Sequence, residues 1–406
     1  LKKLVPVPMP QHNDERPGVR GRPGLTSLPP LSLYVHMPWC VHKCPYCDFN
    51  SHERKGELPE QAYLAALQAD LEQAVPTVWG RQLVSIFIGG GTPSLLSADA
   101  LERMMAMFRA YLNIPPDIEV TLEANPGTAE ASRFLGYAQA GVNRISLGVQ
   151  SFDDRALTAL GRIHDANQAR AAIEMAQRAV PRVNLDLMYA LPAQTLEESE
   201  RDVREAMSFG TGHLSLYHLT MEPNTLFAKF PPKVPDSDTS AAMQDRLTSL
   251  TEAGGWQRYE VSAYAQAGQQ CMHNLNYWQF GDYLGIGPGA HSKLSFQDRI
   301  IRQARARMPD SWMQRTMARD GSHITEERVL HAKDLGFEFM LNVLRLKEGV
   351  EGGTFIERTG LSVMSILPAI RHAVERGLLM PGLDRLCATP LGWEFLNDLQ
   401  MEFLTE

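Results

Sequence analysis

Three of the five cysteines fall within the eight residues "CVHKCPYC", as Cys40, Cys44 and Cys47. Thiolates spaced this closely bind metal. Three of them can each hold one iron of a cubane [4Fe–4S] cluster, where a purely electron-transferring cluster takes four, and the fourth iron stays open to another ligand. Zinc is the alternative, with His42, Asp48 or the distant Cys271 as a further ligand. Structural zinc sites usually pair their ligands as two separated knuckles, and no second knuckle follows here. A second stretch, "GGGTPS" at 89–94, removes three successive Cβ atoms and lets the backbone approach a ligand. Its spacing, and its ending in Pro93, exclude a dinucleotide fingerprint.

Both stretches directly follow apolar, β-rich runs. Strands are expected at 31–35, 83–88, 117–123, 144–149, 182–188 and 213–219, alternating with helices at 59–75, 98–111, 128–140, 166–179, 195–208 and 238–253. Six βα repeats imply parallel strands joined by right-handed crossovers. Eight would close a barrel, so six predict an α/β fold built on an open or partial (β/α)6 barrel. Chemistry in such folds sits on the loops after the strand C-termini, where both motifs lie.

Composition narrows the function classes. With 406 residues and 44% hydrophobic content the chain can bury a large core. A net charge of -8 argues against a nucleic-acid partner. Apolar runs are too short to span a bilayer, so no transmembrane segment is expected, while peripheral membrane contact stays open. Few, crowded cysteines fit a reducing compartment, which places the chain in the cytoplasm. Residues 1–30, rich in proline and basic residues, read as a disordered arm. At the other end, residues 347–406 carry short helices and a turn near "PGLD" that suggest a small, mostly helical, winged-helix-like domain. Acidic residues outnumber basic ones there, which disfavours DNA and favours a lid or protein-docking role. The expected organisation is therefore an arm (1–30), a core barrel with its appended motifs (31–292), a connecting basic and helical segment (293–346) and the C-terminal domain (347–406).

The C-x3-C-x2-C spacing followed by "GGGTPS" resembles the radical S-adenosylmethionine superfamily. That resemblance implies a [4Fe–4S] cluster on Cys40, Cys44 and Cys47, S-adenosylmethionine on the open iron, and an electron donor for the cluster. Within the superfamily, "EANPGT", "GVNRISLGVQSF", "NLDLMYALPAQ", "HNLNYW" and "GDYLGIGPGAHS" resemble the branch of oxygen-independent coproporphyrinogen III oxidases and their heme-chaperone relatives. By this resemblance S-adenosylmethionine contacts fall on Tyr34, Gly90 and Glu123, and those of a second cofactor molecule on Tyr46, Gly91, Thr92, Gln150, Arg162 and Asp186. Physically, Glu123 and Asp186 suit an ammonium or ribose hydroxyls, and Arg162 suits a carboxylate.

Three departures favour the chaperones. Phe49 stands where the oxidases resemble one another in a fourth cysteine, only a Pro-rich arm precedes the cluster motif, and "HNLNYW" resembles their heme motif. The resemblance then implies heme as ligand, a heme-acceptor protein as partner and a homodimer as a further option, with the cluster gating transfer or assembly. The enzyme alternative is radical oxidative decarboxylation of coproporphyrinogen propionates. His273 is the candidate axial ligand, Cys271 its alternative, and Tyr277, Trp278 and Phe280 are candidates to pack against a porphyrin face. Lys293, Arg299, Arg302, Arg305 and Arg307 are either propionate partners or a solvated hairpin.

Overall fold

A computed structural model describes residues 24–54, 56–127 and 131–404. Six strands follow the expected rhythm: β1 (Leu31–Met37), β2 (Leu83–Gly90), β3 (Glu119–Ala124), β4 (Arg144–Gln150), β5 (Arg182–Tyr189) and β6 (His213–His218). All neighbouring pairs among them are parallel. Their near-continuous burial, as in β1 where six of seven residues are buried, is what strands covered on both faces require. The crossover helices are α1 (Glu60–Ala74), α2 (Ala98–Tyr111), α3 (Phe134–Ala140), α4 (Ala166–Ala179), α5 (Leu196–Ser208) and α6 (Ser237–Ala253). Local chemistry fixes several of their starts: Asp165 and Thr195 form reciprocal capping boxes, and Ser97 and Asp236 cap α2 and α6.

The sheet runs on past the six repeats. Short strands β7 (Gln257–Arg258) and β8 (Ala263–Ala265) extend it beyond β6, and β9 (Asp282–Ile286) joins β1 in parallel. Antiparallel β10 (His291–Ser295), β11 (Ile300–Arg305) and β12 (Ile324–Val329) follow. The resulting twelve-stranded order is β12-β11-β10-β9-β1-β2-β3-β4-β5-β6-β8-β7, so the barrel is partial and does not close. Helix α7 (Met272–Trp278) packs against β1 and β2, and α8 (Pro309–Ala318) lies on α1. The C-terminal part, from α9 (Ala332–Val343) onward, is helical, with one antiparallel ribbon joining Val350–Glu351 to Arg385–Leu386 and its own core around Phe339 and Phe355. Among the described residues no helix is long and apolar enough to cross a membrane.

Two expectations need amendment. Most of the proposed N-terminal arm, residues 1–23, lies outside the described residues, but Leu25 is buried and its amide donates to the Gln297 carbonyl. The basic stretch at 293–307 is mainly strand, and its inner cations have structural partners. Lys293 meets Asp282 at 2.9 Å, Arg302 meets Glu338 at 2.8 Å, and Arg305 meets Asp70 at 2.8 Å. It is therefore neither a solvated hairpin nor, for these three residues, a supply of free cations for propionates.

Asp70 on α1 fastens the antiparallel extension to the barrel. It accepts from Arg305, the Gly287 amide and Trp312 Nε1, with His323 Nε2 at 3.4 Å. Burial alone would push this carboxyl up, but Arg305 and these hydrogen bonds outweigh it and hold it below its ordinary value. Asp70→Asn leaves Arg305 buried without its counter-charge and is expected to cost roughly 3–5 kcal/mol. Denaturant unfolding of the variant beside the unmodified chain measures this, and a loss under about 0.5 kcal/mol would remove Asp70 as a fastening point.

Candidate functional site

Candidate side chains come from the C-terminal halves of β3, β4 and β5 and the glycine loop from the end of β2, and the longest loop at that end is the cysteine loop after β1. Cys40, Cys44 and Cys47 are half-buried and free of disulfides. The Cys47 amide donates to the Cys44 carbonyl at 3.1 Å, turning the loop so that all three sulfurs border one cavity of about 370 Å³. Arg162 reaches across from beyond β4 and places Nη1 3.5 Å from Cys44 Sγ. Its Nη2 donates to Asn125 Oδ1 at 2.7 Å and to the Gly148 carbonyl at 2.9 Å, while Nε is buried without a partner.

The glycine loop is needed for close approach. Gly90 has φ +117, and a Cβ there would stand 2.6 Å from His36 Cε1. A Cβ on Gly91 would stand 2.6 Å from the Trp39 carbonyl oxygen, because this loop lies directly against the start of the cysteine loop. Gly90, Gly91 and the buried Thr92 all border the cavity, and Thr92 Oγ1 accepts from Asn125 Nδ2 at 3.0 Å.

The acids come from β3 and β5. Glu123 Oε2 accepts the Gly90 amide at 2.9 Å, and burial raises its carboxyl to about 7, with Asp186 adding to the shift. Asp186 accepts from Ser146 Oγ and Asn184 Nδ2, yet burial still pushes it above its ordinary value. Gln150 lines the same cavity from a left-handed backbone conformation, φ 69, where a non-glycine residue is strained. Tyr46 borders it beside Cys44, its phenol pushed up by burial.

Two expected site residues lie elsewhere. Tyr34 and His273 do not border the cavity but sit behind Phe87, whose ring is 6.3 Å from Tyr34 and 4.8 Å from His273. Tyr34 Oη lies 3.0 Å from His36 Nδ1, and His36 Nε2 is 2.9 Å from the Asn50 carbonyl. His273, on α7, has Nδ1 3.2 Å from Ser85 Oγ, and burial pushes its imidazole down to about 4, which leaves it neutral. The neighbouring aromatic rings already have protein partners. Tyr277 packs on Trp278 and Tyr283, and Phe280, 1% exposed, packs on Phe339. Phe280 is thus a core residue and not a porphyrin platform in this arrangement.

Of the further ligands a zinc site would use, placement excludes Cys271, whereas His42 and Asp48 border the cavity beside the cysteines. Cys271 lies at the base of the barrel, 3.5 Å from Glu119 Oε1, and Glu119 opens β3 at the end remote from the cysteine loop. His42 pairs with Glu53 at 3.4 Å. Among the described residues no three His, Cys, Asp or Glu side chains converge as ligands of a single ion would. Three cysteines spread around a common space instead fit a multi-iron cluster, in which each sulfur takes a different iron. Sequence reasoning passed over Asn125, which joins Thr92 to Arg162, and over Arg144 and Arg345 on the cavity wall. Asn125 was within reach, since it belongs to the "EANPGT" stretch; nothing in the local sequence singles out the other two.

This constellation defines the class. Residues 34–206 match the model of the radical SAM superfamily, and residues 330–395 match the HemN C-terminal domain. The heme chaperone HemW of Escherichia coli is 48% identical over 94% of this chain and all of its own length. HemW of Haemophilus influenzae is 47% identical over 94% of this chain and all of its own. The solved E. coli coproporphyrinogen III oxidase HemN, 21% identical, superposes with a TM-score of 0.80 over 93% of this chain and 91% of that one, which shows a shared fold. The chain is a radical SAM protein with a HemN-type C-terminal domain. Within that class it belongs to the HemW family.

Gly91→Ala tests the contact between the two loops. The added methyl must displace the Trp39 carbonyl, at a cost of about 1–3 kcal/mol. Iron content after anaerobic cluster reconstitution is expected to drop with it, and a variant with full iron content and unchanged melting would show that the loops do not depend on this contact.

Proposed function

We propose that this chain is a cytoplasmic heme chaperone, which binds heme and passes it to an acceptor protein. The observation that carries this reading is its 48% identity, over the full length of the relative, to a protein named as a heme chaperone. Cys40, Cys44 and Cys47 are the residues that would hold a [4Fe–4S] cluster, and the set fits because three sulfurs and one buried guanidinium share a cavity with room beside them. When bound, the cluster supplies an iron site for S-adenosylmethionine and a route for single electrons from a donor.

The chain's own residues do the rest. Gly90 and Gly91 admit the cofactor to backbone contact, and Gln150 and Thr92 offer neutral polar atoms around it. Asp186 is the acid suited to hydroxyls, and Glu123 is the acid suited to an ammonium. Arg162, in contact with Cys44 Sγ, is the cation suited to a carboxylate. Productive cleavage of S-adenosylmethionine is not required by this role, and the cofactor's presence is read as gating heme transfer or dimer assembly. His273 remains the proposed axial ligand. Its neutral imidazole is the ligating form, but reaching iron requires α7 to release it from Ser85 and Phe87.

Anaerobic hemin titration of cluster-reconstituted protein tests the reading. Saturable one-to-one uptake is expected, weakened on the order of tenfold in His273→Ala if that residue ligates. Uptake unchanged in the variant would remove His273, whereas no specific uptake by the unmodified chain, together with product from coproporphyrinogen III, would replace the chaperone with an oxidase.

Glu123 gives a pH signature. A buried acid with a raised value contributes stability below its ordinary value near 4.5 and loses it as pH rises through about 7. A cationic ligand reverses the preference, because it favours the ionised form. S-adenosylmethionine affinity of cluster-loaded protein is therefore expected to rise between pH 6 and pH 8, roughly tenfold per unit below the transition at most. Glu123→Gln should flatten that slope in calorimetry, and an equal slope in both proteins would take Glu123 off the ammonium.

A further inference from the structure

Away from the cysteines, the same cavity runs down to a floor that no role above uses. Arg144 opens β4 at the barrel base, 2% exposed, and its one hydrogen bond among the described residues runs to Thr121 Oγ1 at 3.5 Å. The charges of Glu119 and Asp186 act on it, but Glu119 is already paired with Arg182 at 2.7 Å, Asp186 accepts from Ser146 and Asn184, and no ion pair joins either acid to Arg144 among the described residues. Arg345, just beyond α9, borders the cavity with its guanidinium 4.3 Å over the Trp278 ring and its Nε buried without a partner. Glu260 is the acid whose charge acts most on Arg345, yet no ion pair joins them among the described residues. Asn274 also borders the cavity from α7, four residues before Trp278 and so on the same helix face. Asn184 cannot serve these cations, since its amide is spent on Ser146, Asp186, His213 and Ser215.

Buried guanidinium groups with so few partners are costly unless an anion or water completes them. We propose that the cavity floor is a carboxylate-binding subsite, in which Arg144 and Arg345, assisted by Asn274, receive an acid group of a ligand held inside the barrel. Taken with the function proposed above, on which this assignment of ligand rests, the acid is a propionate of a tetrapyrrole. The carboxylate of S-adenosylmethionine is the other source of the same chemistry, and the experiment separates the two. The subsite also gives the C-terminal part a chemical role, because Arg345 belongs to it and not to the βα repeats.

The test uses full-length, cluster-loaded protein with Arg345→Gln, Arg345→Lys and Arg144→Gln beside the unmodified chain. Protoporphyrin IX, which lacks iron, is compared with its dimethyl ester, which lacks the acids. The free acid is expected to bind at least about tenfold more tightly than the ester, equivalent to ~1.4 kcal/mol. Arg345→Gln should abolish that preference and Arg345→Lys should retain part of it. S-adenosylmethionine affinity should not change in either Arg345 variant. Because Arg144 is packed in the barrel, its variant is read by the acid-to-ester ratio only after its melting matches the unmodified chain. Protection of Arg345 from an arginine-specific dicarbonyl reagent by succinate, mapped by mass spectrometry, reads the subsite without any porphyrin. Protection without hemin uptake would keep the subsite and sink the chaperone reading. Equal binding of acid and ester together with no succinate protection would overturn the subsite, and so would a loss confined to S-adenosylmethionine.

Discussion

An unclosed barrel has to seal a polar interior without strand pairing to do it. Hydrogen bonding across the sheet never joins β6 back to β1, so the inner faces of the strands would otherwise meet solvent along one side. In this chain α7 packs beneath β1, β2 and β9. Asn276 donates to Ser32 Oγ at 2.8 Å and to the Asp282 carbonyl at 2.9 Å, tying the helix to the base of β1 and to β9. Glu260 bridges to Leu346, bringing the segment after α9 to the far edge. The arrangement of the site follows from this sealing: the top of the cavity is built by loops of the repeats, and the bottom by elements that follow them.

Those two halves were not equally legible. The alternation of β-rich and helical runs located six strands and six helices to within a few residues, with 128–130 of the third helical stretch outside the described residues, because a parallel strand buried on both faces leaves a dense apolar run. Cys40, Cys44, Cys47 and the glycine loop were legible for a different reason. Their residue types are expensive anywhere else, and local spacing alone brings them together. The antiparallel extension was not legible: Lys293, Arg302 and Arg305 look solvent-facing, and only acids on other elements, 11, 36 and 235 positions away in sequence, draw them inward. Arg345 escaped for the same reason. A single arginine after an amphipathic helix carries no local mark of pointing into a barrel formed by residues two hundred positions earlier.

Electrostatics divides the cavity along the same line. Near the cysteine loop Arg162 faces a sulfur, and burial raises Glu123 to about 7 and Asp186 above its ordinary value, so a cation arriving there supplies the counter-charge these acids lack. Toward the floor the balance shifts to Arg144 and Arg345, whose counter-charges are either committed elsewhere or absent within ion-pair distance among the described residues. One space therefore presents acceptors for a cation at one end and donors for an anion at the other. A ligand or ligand pair that is itself charged in that sense is oriented by the cavity before any single contact forms.

The position of His273 fits this picture better than it fits a preformed iron site. Its imidazole is neutral, bonded to Ser85 and tilted against the Phe87 ring, and Phe87 itself borders the cavity. A change in how the cavity is filled therefore presses on His273 through a single ring. The same α7 carries Asn274 at the floor and Trp278 beneath Arg345, so occupation of the floor and release of the histidine act on one short helix of seven residues. A helix that short has little stability of its own and takes its conformation from its packing. Its hold on His273 is thus set by what surrounds it, which makes α7 the element through which the cavity's contents and the histidine's availability are linked.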